Sequence, residues 1–168
     1  AVAWEITFLE HYQSFGFETG SPEHEGYAAE LEATQASVKR MREAGIRVLV
    51  GGDYGLNITP HGTYAKELQY FTDYFGFSPG EALQAATKHG GEAFMPDGSL
   101  GTLEAGKIAD MVIVKGNPLE QIGVLQDADA IAAVIKEGQI YTGLLDNQSP
   151  HQKNAEQLNQ LLGAQPCN

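Results

Sequence analysis

The residues best able to do chemistry cluster in one stretch, Gly51-Gly52-Asp53-Tyr54-Gly55, with His61 following in Pro60-His61-Gly62. Asp53 comes just after Ile46-Arg47-Val48-Leu49-Val50, a β-branched run that reads as a buried strand. A carboxylate past the carboxyl end of such a strand lies where α/β sheets and barrels gather their ligands. The flanking glycines let the backbone turn sharply and let a ligand or metal come close. The same position also suits a turn Asp bonding its own loop amides, and position alone leaves the two readings even. The His61 imidazole reaches the same site if its loop folds back over the strand end. Otherwise it is a surface residue at a helix N-terminus, the plainer reading. A phosphate-binding nest is disfavoured, because no helix opens directly after the glycines, no Lys or Arg follows, and the nucleotide-binding glycine spacings are absent.

The other reactive side chains point to bland roles. His11, His24, His89 and His151 show no metal-ligand spacing, with no H-x-H and no H-E-x-x-H. His24 belongs to an acidic loop and is expected to be solvated. His89 suits a helix C-terminus, where a partly protonated ring is favourable. No G-x-S-x-G is present; Ser21 reads as a turn residue and Ser78 as a helix cap. Cys167 lacks a cationic neighbourhood in sequence and reads as a bystander. Trp4 reads as packing.

These candidates need elements to hold them. Val2, Trp4, Ile6 and Phe8 alternate, which predicts a strand over residues 1–9. Glycines and Ser21-Pro22 make 10–26 a long loop. Tyr27, Leu31, Thr34, Val38 and Met41 form one stripe of a helix over 27–44, closed by Gly45. Helix, turn and β-branched run together predict an α/β unit with a parallel sheet. A second helix is expected over 64–75, with Tyr64, Leu68, Phe71 and Phe75 as its stripe. A third starts at Ser78-Pro79-Gly80-Glu81, a capping box with Pro in the first turn, and stops at Gly90-Gly91. Beyond residue 95 the character changes. Turn-rich 96–107 leads to a strand over 109–114, and strands over 131–136 and 139–142 form a hairpin around Glu137-Gly138. Residues 145–168 form a polar tail, in which Leu158, Leu161 and Leu162 suggest a short docking helix or a frayed end.

Composition sets the outer limits. The chain has 168 residues, 42 % of them apolar, and 10 Lys+Arg against 22 Asp+Glu, for a net charge of −12. That supports one globular core and argues against nucleic acid, whose phosphates need a cationic face. Seven Glu and no Lys or Arg occur in residues 1–38. The basic cluster Lys39, Arg40 and Arg42 falls at a helix end, where it complements the dipole. The single cysteine excludes an internal disulfide framework or a Cys-rich zinc module and fits a reducing compartment, so the cytoplasm is the expected location. No apolar run is long enough to predict a spanning helix, and no signal-peptide pattern opens the chain. A start without Met suggests a processed or truncated product.

Taken in order, these stretches resemble the metal-dependent amidohydrolase superfamily. Residues 41–55 look like the approach to the last barrel strand of that family. His61-Gly62 with Glu67-Leu68 is similar to its H-G…E-L segment. Ser78-Pro79-Gly80-Glu81-Ala82-Leu83 with Ala85-Ala86-Thr87 is similar to its S-P-x-E-A-L-x-A-A-T helix. Gly101 through Asp110 matches its G-x-L-x-x-G-K-x-A-D turn, and Val112–Val114, Gly116–Leu119 and Val134–Gly138 complete the series. Each motif is short, and the order is what is specific.

The resemblance implies the C-terminal part of a (β/α)₈ barrel over residues 1–95 and strands of a small composite β-sandwich over 96–144. It also implies a hydrolase of C–N bonds (amide, urea, carbamate or related) acting on a small molecule through one or two divalent ions, zinc being the expected one. Asp53 would be the metal ligand, and it would take a proton from the attacking water and hand it to the leaving group. Tyr54 and His61 would be substrate contacts, or would support the metal ligands from behind. The family's remaining ligands, an H-x-H on its first strand and residues on its fourth, fifth and sixth, have no counterpart here. A whole barrel takes about 250 residues. The expected partner is therefore an N-terminal remainder or a complementary chain, together with self-association into a homo-oligomer; no membrane is expected. The rival expectation is a non-catalytic or regulatory fragment that binds a partner chain and is inactive alone.

Overall fold

A computed structural model describes residues 2–143. The polar tail, Cys167 and His151 lie outside the described residues. The described residues run through five α-helices and then a three-stranded sheet.

Helix α1 spans Val2–His11, where alternation predicts a strand. The correction has a physical cause. Ala3, Glu5, Ile6, Thr7 and Phe8 are all buried, so this helix is covered on most sides. A helix buried all round loses its 3.6-residue stripe, and a short apolar run then fits either period. After a 3₁₀ turn over Tyr12–Phe15, helix α2 covers Pro22–Glu43 and starts five residues earlier than its apolar stripe suggests. The Ser21 side chain caps it by accepting from the His24 N–H at 3.3 Å, and Pro22 occupies the first turn. His24 is therefore helical. Its ring packs on Tyr12 at 4.3 Å, half-buried rather than solvated. At the other end Gly45 turns left-handed (φ 73°) and the Ile46 N–H returns to the Met41 carbonyl, ending the helix where expected.

Residues 46–50 make no ladder with any described segment. Val48 and Val50 pack on the core while Ile46 and Leu49 are exposed, an alternation with only one side covered. No parallel pairing exists among the described residues. Helix α3 is Lys66–Tyr74, and its buried Leu68, Tyr70 and Phe71 meet Ile6, Leu31, Val38 and Phe75 in the main core. Tyr64, placed in this stripe by spacing, is 53 % exposed instead.

Helix α4, Pro79–Gln84, begins with the full capping box between Ser78 and Glu81. It passes into a π-turn over Ala85–His89 and on into α5, Gly90–Phe94, so Gly90-Gly91 does not stop the helix. A Cβ on Gly91 would stand 2.6 Å from the Leu100 carbonyl oxygen and 2.7 Å from Gly101 Cα. That glycine admits the 100–101 turn against the helix.

The sheet is β1 (Met111–Val114), β2 (Ile131–Lys136) and β3 (Gln139–Gly143), antiparallel in that order. Met111 faces Ile135, Lys136 faces Gln139, and β1 carries an irregularity between Ile113 and Val114. Glu137 (φ 52°) and Gly138 (φ 79°) form the expected tight turn. Asp110 pins it, its Oδ1 accepting from the Glu137 N–H at 2.7 Å.

Candidate active site

Asp53 lies in a loop that folds back on itself. The Gly55 N–H donates to the Thr59 carbonyl at 2.8 Å, and the Thr59 hydroxyl donates to the Asp53 carbonyl at 2.7 Å. Thr59 is 2 % exposed, so this bond is shielded from water. On the other side the Glu67 carboxylate, from the first turn of α3, accepts from the Gly51 N–H at 3.1 Å and the Gly52 N–H at 2.7 Å. Glu67 is 3 % exposed. Burial pushes its carboxyl above the usual range, and the two N–H bonds oppose that shift. The Asp53 side chain is exposed and makes no hydrogen bond or ion pair with any described residue.

Gly52 is required where it stands. A Cβ there would come within 2.9 Å of the Ala3 Cβ and 3.1 Å of Glu67 Oε2. Gly55 has φ 102°, and its missing side chain leaves room for the His61 ring, whose Nε2 lies 2.9 Å from where a Cβ would be. His61 is thus carried back onto the Asp53 loop. Its Nδ1 shares a hydrogen bond with the Tyr64 hydroxyl at 2.8 Å. Tyr64 in turn meets Tyr54 edge-on at 4.8 Å, and the Tyr54 hydroxyl donates to the Tyr64 carbonyl at 3.4 Å. Burial, reinforced by the Glu67 carboxylate, pushes the Tyr54 hydroxyl up to about 12, so it stays protonated at any physiological pH.

The fold therefore gathers Asp53, Tyr54 and His61 around one loop and adds Thr59, Tyr64 and Glu67. Tyr64 was hidden because helical spacing assigned it to the core. Glu67 carried a readable signal: a carboxylate on the same helix face as Leu68, Tyr70 and Phe71 must find donors. Among the described residues no three His, Cys, Asp or Glu come close enough to hold a metal ion. An exposed carboxylate with both oxygens unengaged fits one ligand of a divalent ion, and one ligand does not make a site. An apolar cleft of about 1280 Å³ opens elsewhere, between Leu68, Leu83 and Ala86 on the helices and Met111, Val114 and Val134 on the sheet.

The model of the Amidohydrolase family matches residues 18–141. The chain belongs to the amidohydrolase family. It is 35 % identical to ochratoxinase of Aspergillus niger over 114 residues, which are 67 % of this chain and 22 % of that enzyme. To imidazolonepropionase of Symbiobacterium thermophilum it is 31 % identical over 110 residues, 66 % of this chain and 26 % of the relative. The crystal structure of A. niger ochratoxinase superposes with a TM-score of 0.68 and 27 % identity, over 82 % of this chain and 31 % of that one. A Xaa-Pro dipeptidase with methionine bound in its active site aligns at 35 % identity and a TM-score of 0.57, over 65 % of this chain and 25 % of that one. This amidohydrolase segment thus spans about a quarter of the length of the curated relatives it matches. Its mixed helix–strand fold is shared with amidohydrolase enzymes. Among the described residues, no helix is long and apolar enough to cross a membrane.

Proposed function

We propose that this chain is the C-terminal part of a metal-dependent hydrolase that cleaves a C–N bond in a small molecule, with Asp53 as one metal ligand and the proton shuttle. The observation that carries this reading is the Asp53 carboxylate, held free at a loop whose backbone is tied down on both sides. A divalent ion, zinc by expectation, would supply when bound the Lewis acidity that lowers the pKa of water to about 7. Asp53 accepts the proton that water loses as its oxygen bonds the substrate carbon. The same carboxyl then gives that proton to the nitrogen as the C–N bond breaks. Tyr54, kept as a neutral hydroxyl, and His61, oriented by Tyr64, stand beside it as substrate contacts. The other ligands belong to the remainder of the enzyme or to a complementary chain. In the same reading residues 1–95 complete a barrel, with 46–50 as one of its strands, and 96–144 complete a small sandwich.

The test uses the complete enzyme loaded with zinc and a panel of C–N substrates: a Xaa-Pro dipeptide, an N-acyl amino acid, a carbamate and a cyclic amide. Asp53→Asn keeps the shape and removes the base. Turnover of the best substrate is expected to fall at least 10³-fold, of the order general-base loss produces, with weaker zinc retention. Turnover within a few-fold of the parent would reject the role. A second reading has its own observation. Phe94 is 80 % exposed, Leu103 76 % and Leu119 60 %. Such surface suits a segment that is inactive alone and binds the rest of its enzyme. Hydrolysis by the isolated chain would refute it.

A further inference from the structure

The glycines before Asp53 show what the site requires of its scaffold. In an extended chain, successive peptide N–H groups point to opposite sides. Those of Gly51 and Gly52 instead converge on one carboxylate, Glu67, so that group holds the turn at the residue directly before Asp53. The Thr59 hydroxyl holds the next peptide through the Asp53 carbonyl. Both anchoring side chains are buried, at 3 % and 2 % exposure, and both come from beyond the turn, one from the loop and one from α3. A turn Asp would bond its own loop amides. Here the two amides that precede Asp53 are bound by Glu67, and the Asp53 carboxylate is bound by none of the described residues. A pinned backbone under an unengaged side chain is the arrangement expected when the direction of that side chain matters.

We infer that Glu67 and Thr59 are positioning residues: they aim the Asp53 carboxylate at the metal and substrate without touching either. The inference rests on the hydrolase reading above. Glu67→Gln is a demanding probe, because it keeps the size and one acceptor oxygen while setting an NH₂ against one of the two glycine N–H donors. Thr59→Val keeps the shape of a buried residue and deletes only the hydroxyl.

Both variants are to be made in the complete zinc enzyme beside Asp53→Asn. The readouts are kcat, KM, the zinc dissociation constant by chelator competition, and the thermal midpoint. Positioning predicts that Glu67→Gln lowers kcat 10- to 100-fold with KM within about threefold, and weakens zinc by a similar factor, as loss of an outer supporting bond does. Saturating zinc should restore occupancy but not kcat. Thr59→Val should do the same more mildly, and Thr59→Ser should recover most of the loss. A merely structural role lowers the midpoint and the yield but leaves kcat per loaded molecule and zinc affinity near the parent values. If Asp53→Asn is inactive while Glu67→Gln stays within twofold in both, the positioning inference fails and the hydrolase reading stands. If Asp53→Asn keeps turnover near the parent, the role proposed for Asp53 fails, and the positioning inference that rests on it fails too. If Glu67→Gln does not fold, Thr59→Val decides, and values within twofold of the parent overturn the inference.

Discussion

Replacing each of the adjacent glycines of α5 by Ala tests the packing argument, because the same substitution should have opposite signs at neighbouring positions. In a helix, Gly→Ala stabilises by about 0.5–1 kcal/mol, since Ala has less backbone entropy to lose. At Gly90 nothing opposes this: the nearest atom to an added Cβ is the Ala85 carbonyl oxygen at 3.5 Å, an ordinary contact. At Gly91 the added carbon would meet the Leu100 carbonyl oxygen at 2.6 Å, Gly101 Cα at 2.7 Å and the Leu100 carbonyl carbon at 2.8 Å. All three are backbone, and the turn has little room to retreat because Gly101 (φ 99°) lies against Thr87. Overpacking of this kind costs about 1–3 kcal/mol and sometimes more. The clash outweighs the propensity gain, and Gly91→Ala should be destabilising by about 1–2 kcal/mol net. Apparent thermal midpoints of the two variants in the complete enzyme give the answer. Gly90→Ala should match or exceed the parent, and Gly91→Ala should melt several degrees lower. A Gly91→Ala midpoint at or above that of Gly90→Ala would refute the claim that this glycine exists for the close approach of the 100–101 turn.

Ser78→Ala should cost about 1 kcal/mol through loss of the α4 cap, read by denaturant titration. The bonds from Ser78, aided by Arg42, hold the Glu81 carboxyl below the usual range. A lowered folded value means a contribution present above the ordinary carboxylate pKa of about 4.3 and lost as pH falls through the folded one. The stability gap between parent and Glu81→Gln should therefore close in acid, and a gap that persists below pH 3 refutes the ion's role. Tyr54→Phe should leave the tyrosinate absorbance at pH 10 unchanged, because the Tyr54 hydroxyl titrates near 12. An ordinary Tyr would be half ionised there, so a lower signal in the variant overturns the burial argument.

Local chemistry was readable wherever it closes within a few residues. The Ser78–Glu81 box, the Gly45 helix end and the Glu137-Gly138 turn need only neighbours in sequence, and all three stand as read. The family was readable for a related reason: an ordered series of short motifs survives even when each is weak. Where burial comes from distant segments, the reading failed. α1 is covered on most sides, so its side chains carry no helical stripe. Gly90-Gly91 reads as a stop, yet the helix runs on, and Gly91 serves to admit a turn from residues 100–101.

The candidate site divides in the same way. Residue types and the glycines around Asp53 already marked a carboxylate at a sharp turn, and His61 stood near enough in sequence to return to it. Only the tertiary structure decided that the turn is held by Glu67 from α3 and by Thr59, that Tyr64 leaves the core to orient His61, and that the Asp53 carboxylate stays unengaged by the described residues. Each of those facts depends on which distant donor meets which acceptor, and a sequence names the groups that must be satisfied without naming their partners.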